Sequence, residues 1–136
     1  MKVRDMMQQN LITVTPTMSL AQVQRLMHDN GIRHIPVVSG RRMVGIVTDR
    51  DIRDASPSPA TTLSKGEIHY QMDTTPVRTC MSRNVVTVHS DDDMVQAARI
   101  LLEHKYGCVP VMEEERLVGL ITETDCLQAF LVLTTD

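Results

Sequence analysis

The feature that most constrains this chain is that it repeats itself. Displacing the sequence by 74 positions aligns residues 3–53 with 77–127 without a gap. Val3-Arg4 meets Val77-Arg78, Met7 meets Met81 and Asn10 meets Asn84. Thr13-Val14 meets Thr87-Val88, Gln22 and Arg25 meet Gln96 and Arg99, and Pro36-Val37 meets Pro110-Val111. Further along, Arg42, Val44, Gly45, Thr48 and Asp51 meet Arg116, Val118, Gly119, Thr122 and Asp125. A gapless match over that length predicts two copies of one folding unit.

Each copy reads as the same string of elements. Leu11-Ile12-Thr13-Val14 is a short β-branched run ending near Pro16. A helix follows, capped by Ser19 with Gln22 three residues on, and Asp93 with Gln96 repeats the arrangement. Leu20, Val23 and Met27 fall on one helical face, as do Met94, Ala97 and Leu101. Gly31 ends the first helix as a C-terminal cap. Then come Ile35-Pro36-Val37-Val38, a polar turn (Ser39-Gly40-Arg41, or Glu113-Glu114-Glu115) and Met43-Val44-Gly45-Ile46-Val47, a hairpin pattern. A second helix begins after Thr48 or Thr122. The unit is β-α-β-β-α, and a unit of about fifty residues buries its own faces poorly. The expectation is therefore an α/β (α+β) fold, two repeats packed sheet to sheet about a pseudo-twofold axis. Residues 1–55 form the first repeat, 56–76 a linker and 77–136 the second. Ser56-Pro57-Ser58-Pro59 marks the linker, with a short helix expected from Ala60 to Met72.

Composition excludes several function classes. The net charge is −3 with both signs interspersed, so no nucleic-acid footprint is present. No apolar run approaches a membrane span and the first residues lack a signal-peptide segment, so a cytoplasmic protein is expected. Cys80, Cys108 and Cys126 are widely spaced and odd in number, which predicts reduced, mostly buried thiols. With one Phe, two Tyr and no Trp, the core must be aliphatic. Met6, Met7, Met27, Met94 and Met112 are read as core filling rather than copper ligands.

The chemistry-bearing pattern is Gly45-x-x-Thr48-x-x-Asp51, repeated as Gly119-x-x-Thr122-x-x-Asp125. Each copy lies where a strand feeds a helix. The amides and dipole of a helix N-terminus attract phosphate, and a Thr hydroxyl there can bond a phosphate oxygen. A carboxylate one turn in is acceptor-only and can receive both hydroxyls of a ribose. Glycine in the strand admits a close backbone approach. The same residues also fit two capping boxes that need no ligand. Enzyme readings find no support. His28, His34, His69, His89 and His104 show no metal spacing, no G-x-S-x-G is present, and Cys108 with His34 lacks an activating arrangement. Asp91-Asp92-Asp93 is a helix N-terminal charge set.

The I/V-P-V-V strand, Gly45 to Ile52 (G-I-V-T-D-R-D-I) and Gly119 to Cys126 (G-L-I-T-E-T-D-C) carry a resemblance that covers nearly the whole chain. The unit resembles the cystathionine β-synthase (CBS) domain, and two in tandem resemble a Bateman module. The T-D-R-D, A-S-P-S and G-C-V-P-V segments are similar to the CBS pair of the acetoin-utilisation AcuB family. Those proteins usually carry a further C-terminal ACT-type domain; with the sequence ending at Asp136, none is expected here.

The resemblance implies a regulatory, non-catalytic module that binds an adenine nucleotide such as AMP, ADP or ATP, or S-adenosylmethionine, in clefts between the repeats. No cofactor or metal is required, and the regulated partner is unknown. One cleft would join Ile12, Thr13, Ile32 and Arg33 with Thr122 and Asp125. The other would join Val86, Thr87, Tyr106 and Gly107 with Ile46, Thr48 and Asp51. His34, Arg50 and Leu120 are further ligand-binding candidates, the basic ones toward phosphate. Tyr106 would stack on a base or plug its cleft. The apolar end of the chain, Leu127 and Ala129 to Leu133, predicts a homodimer. The alternative is a dimerisation or protein-interaction module whose Thr-x-x-Asp motifs only cap helices.

Overall fold

A computed structural model describes residues 1–135. In chain order the elements are α1 (Val3–Met6), α2 (Leu20–Asn30), β1 (His34–Ser39), β2 (Arg42–Thr48), α3 (Asp49–Ala55) and α4 (Lys65–Thr74). A 3-10 turn (Val77–Thr79), β3 (Val88–His89), α5 (Met94–His104), β4 (Cys108–Glu113), β5 (Arg116–Thr122) and α6 (Glu123–Thr134) follow. Helices and strands are mixed as an α+β fold with two separate sheets, β1-β2 and β3-β4-β5.

The chain forms two compact units that cut across the sequence repeats. One holds Met1–Leu11, Arg41–Met43 and the chain from Asn84 on; the other holds Ile12–Gly40 and Val44–Arg83. The lead segment of each repeat therefore packs with the body of the other. The bonds are the same in both units. Val3 and Arg4 donate their N–H groups to the Asp92 and Ser90 carbonyls at 2.8 and 2.9 Å; Val77 and Arg78 donate theirs to Met18 and Pro16 at 2.7 and 3.0 Å. Farther along, Gln8 pairs with Leu120 and Ser82 with Ile46, each by two backbone hydrogen bonds, adding one residue to the edge of each sheet.

The two cores are built from equivalent positions. One gathers Val14, Val23, Met27, Ile35, Val37, Val47, Ile52, Val77 and Met81. The other gathers Val3, Val88, Met94, Ala97, Leu101, Val109, Val111, Ile121 and Ala129. Val3 and Val77 are fully buried, and burying such a side chain stabilises by about 1.5–3 kcal/mol. Among the methionines read as core filling, Met27 and Met94 are buried, and Met6 and Met7 pack partly against the second core.

Local signals set most boundaries. Ser19 and Gln22 close a reciprocal capping box at α2, and Gly31 ends the helix in the left-handed region at φ 61°. In the second copy Asp93 Oδ1 accepts from Val95 N–H at 2.9 Å, but Gln96 does not complete the box. The linker helix starts at Lys65, five residues later than expected, because Ser64 and Glu67 form its capping box. The expected strand at Leu11–Val14 contracts to a single parallel bridge between Val14 and Val37. The next ladder donor on that side would be Pro16, which has no N–H. Its counterpart, Ser90, has an N–H, and there β3 pairs over two residues, Val88 with Val111 and His89 with Met112.

Candidate functional site

Both Gly-x-x-Thr-x-x-Asp motifs sit at a strand-to-helix junction. β2 ends at Thr48, whose N–H donates to Asp51 Oδ2 at 2.9 Å. The Asp51 N–H donates back to Thr48 Oγ1 at 3.1 Å, closing a box at the start of α3. In the other unit Thr122 N–H donates to Asp125 Oδ2 at 2.8 Å, and the Thr122 hydroxyl donates to the same oxygen at 3.1 Å. The box is thus closed in both directions at Thr48, whereas at Thr122 both bonds run from the threonine to the carboxylate.

The motif glycines receive the chain's own lead segments. A Cβ on Gly45 would lie 2.7 Å from the Ser82 carbonyl oxygen; one on Gly119 would lie 2.7 Å from Met7 Sδ and 3.0 Å from the Gln8 carbonyl oxygen. The close approach that glycine permits is therefore made by protein backbone and methionine.

The two carboxylates differ. Asp125 is only 5% exposed. The Gln8 side-chain amide donates to it, 3.2 Å from Oδ2 and 3.4 Å from Oδ1, and lies 3.4 Å from Thr122 Oγ1. Asp51 is half-buried, and the residue equivalent to Gln8 is Ser82, whose short hydroxyl does not reach it. Gln8 is the site residue that sequence reasoning missed. It lies 117 positions from Asp125, in a segment whose packing partner the repeat pattern does not name.

The remaining candidates divide between the units. With Thr48 and Asp51 lie Ile46, buried in β2, and Arg50, exposed, its N–H on Asp49 Oδ1. Ile12 packs partly against that core while Thr13 is exposed. Ile32 and Arg33 line a groove of about 440 Å³ with Met27, Gly31, Asp49 and Ile52. The Arg33 carbonyl accepts from Asp49 N–H at 3.0 Å, and His34 opens β1. With Thr122 and Asp125 lie Leu120, buried in β5, and Val86 and Thr87, just before β3. Tyr106 and Gly107 precede β4, and the Tyr106 ring stacks on His104 with centroids 5.1 Å apart.

The acidic run before α5 has structural partners. Asp91 pairs with Lys2 and Arg4, Asp92 accepts from the His89 N–H, and Asp93 caps α5. Burial pushes the Cys108 thiol up to about 12. Cys80 is raised by burial and then by the Asp51 charge, and Cys126 by burial and then by Asp125 and Glu123. All three cysteines are free thiols held protonated. Among the described residues, no group of three His, Cys, Asp or Glu side chains is arranged to hold a metal ion, and no helix is long and apolar enough to cross a membrane.

The CBS domain family model matches residues 3–58 and 77–132. The chain belongs to the CBS domain family. Among solved CBS proteins, a Vibrio cholerae protein assigned to acetoin utilization (AcuB) is 30% identical with a TM-score of 0.81, covering 98% of this chain and 92% of that one. CBSX2, solved in complex with AMP, is 26% identical with a TM-score of 0.83 and 98% coverage of both chains. The CBS domain pair of protein MJ0100, in complex with 5′-methylthioadenosine and S-adenosyl-L-methionine, is 26% identical with a TM-score of 0.80 and the same coverage. The uncharacterized protein MJ1225 of Methanocaldococcus jannaschii is 33% identical over 129 residues, 93% of this CBS pair. The chain spans 46% of the length of that relative.

Proposed function

We propose that this CBS pair is a regulatory module that senses an adenine nucleoside derivative, an AMP-like nucleotide or an S-adenosylmethionine-like compound. The observation that carries the reading is the pair of carboxylates, Asp51 and Asp125, each fixed one turn into a helix by its threonine. A carboxylate so held is an acceptor for the hydroxyls of a ribose. Relatives of similar fold are complexed with AMP and with 5′-methylthioadenosine and S-adenosyl-L-methionine, which supports the same ligand class here. The reading is of a binding module and assigns no catalytic residue. A ligand that binds the two arrangements of such a module unequally biases it by that difference in affinity.

The test is a thermal-shift and calorimetric screen with AMP, ADP, ATP and S-adenosylmethionine. Binding at 100 times the dissociation constant stabilises by about 2.7 kcal/mol. No binding of any of the four at millimolar concentration overturns the reading.

The second reading, a dimerisation module whose motifs only cap helices, is favoured by the Thr48–Asp51 box, which the protein's own groups complete. Both readings include a homodimer through α6. That helix buries Asp125 and Ala129 but leaves Leu127, Phe130, Leu131, Val132 and Leu133 60–66% exposed, an apolar face that a twofold partner covers. Sedimentation at micromolar concentration gives a dimer mass, and Phe130→Glu with Leu131→Glu gives a monomer; a monomeric wild type overturns it.

A further inference from the structure

We infer that Gln8 is a built-in competitor for ligand at Asp125, which makes the two motifs unequal binding sites; the inference rests on the proposed adenine-nucleoside reading. The Gln8 backbone is pinned by two hydrogen bonds to Leu120, at 2.9 and 3.1 Å. Its Cα therefore stays in place, and only the side chain has freedom to move.

From that anchor the carboxamide nitrogen reaches Asp125 Oδ2, Asp125 Oδ1 and Thr122 Oγ1 at 3.2, 3.4 and 3.4 Å. A side-chain amide presents two N–H donors, and a ribose diol presents two O–H donors. Both satisfy one carboxylate in the same way, so they compete for the same acceptor. Asp125 is 5% exposed, and a carboxylate this far from water is costly without a donor. Thr122 donates twice to Oδ2, and Gln8 adds the donor that also reaches Oδ1 in the free protein. Its bonds are long for charge-assisted ones, and Gln8 is itself exposed, so the amide has solvent to swing into when a ligand arrives.

The first repeat has no such device. Ser82 stands at the equivalent position on the same edge, paired to Ile46 by the same two backbone bonds, and its side chain is too short to reach Asp51. A ligand meets Asp51 without displacing a side chain, whereas at Asp125 it must break the Gln8 contacts. The asymmetry arises in the lead segment and not in the Gly-x-x-Thr-x-x-Asp motif, which is the same in both repeats.

The experiment is calorimetry of the full chain with adenosine, which carries the diol and no phosphate. In an Asp51→Ala background, where only the Asp125 site remains, Gln8→Ala should tighten adenosine binding about tenfold, the equivalent of one charge-assisted hydrogen bond at the weak end of its range. The same substitution should lower the melting temperature, because the buried Asp125 keeps its Thr122 donors on Oδ2 but loses the one that reaches Oδ1. A gain in affinity with a loss in stability separates competition from a merely structural role. The converse arm installs the device: in an Asp125→Ala background, Ser82→Gln should weaken adenosine binding by a similar factor. Adenosine binding that Gln8→Ala leaves unchanged or weakens overturns the inference and leaves the nucleoside reading standing. No adenosine binding by wild type, Asp51→Ala or Gln8→Ala overturns the inference, and if AMP, ADP, ATP and S-adenosylmethionine also fail to bind, the nucleoside reading falls with it.

Discussion

Gly45→Ala tests whether the motif glycine serves the fold before it serves any ligand. The added Cβ would lie 2.7 Å from the Ser82 carbonyl oxygen and 3.0 Å from Met81 Sδ. An ordinary carbon–oxygen contact needs roughly half an ångström more, and the obstacle is backbone, so the edge segment must move. Moving it stretches two hydrogen bonds, Ile46 N–H to the Ser82 carbonyl at 2.9 Å and Ser82 N–H to the Ile46 carbonyl at 2.8 Å. Each is worth about 1 kcal/mol net, and more where a buried group is left without a partner. The expected loss is about 2–4 kcal/mol, a fall of roughly 8–15 °C in melting temperature for a chain of this size. Gly119→Ala is the control. Its nearest obstacle is the flexible end of Met7, with Sδ at 2.7 Å and Cγ at 2.9 Å, so its cost should be smaller and partly relieved by Met7→Ala. Met81→Ala should not relieve Gly45→Ala, because the Ser82 carbonyl remains. Urea unfolding followed by circular dichroism measures all four variants. Unobstructed Gly→Ala in extended backbone stabilises by about 0.4–1 kcal/mol, so a neutral or stabilised Gly45→Ala refutes the reasoning.

Lys105 and Glu114 hold the left-handed conformation at φ 54° and 58°, where the first repeat has Gly31 and Gly40 at 61° and 64°. Lys105→Gly and Glu114→Gly should each raise stability by about 0.5–1 kcal/mol in thermal unfolding. The raised thiol of Cys108 keeps its proton in the folded state while the unfolded thiol loses it near pH 9, so wild type should lose stability as pH rises from about 9 toward 12. The slope contributed is at most about 1.4 kcal/mol per pH unit, and unfolding of Cys108→Ala across that window should lack it. Val77 belongs by sequence to the second repeat but is buried in the first repeat's core; Val77→Ala should cost about 2 kcal/mol. Hydrogen exchange should then quicken in Leu20–Asn30 and not in Met94–His104.

What was legible in the sequence follows from the range of each signal. The helical faces of Leu20, Val23 and Met27 and of Met94, Ala97 and Leu101 are local periodicities, and all six residues are buried. The Ser19–Gln22 box, the Gly31 cap and the two hairpins are likewise set within a few residues. The strand at Leu11–Val14 shrank because β-branched composition says nothing about ladder donors, and Pro16 removes one. The competing readings of the Thr-x-x-Asp motif could not be separated because capping and ribose binding ask for the same atoms in the same place.

Segment exchange has a deeper cause. Val3 and Val77 occupy equivalent positions and present the same pattern, so the repeat specifies that a lead segment docks on a body but not on which body. With the exchange, each body receives a segment that its own repeat did not encode. Residues on those segments are then free to differ without disturbing the motif they cover. Gln8 and Ser82 make the same backbone bonds on the same edge, yet one side chain engages a buried carboxylate and the other does not. On the proposed nucleoside reading, two motifs that share their Gly, Thr and Asp would thus carry two different affinities, with the difference written more than a hundred residues away in Gln8. Two affinities on one module extend the range of concentration over which it responds, and a side chain that must be displaced sets the upper one.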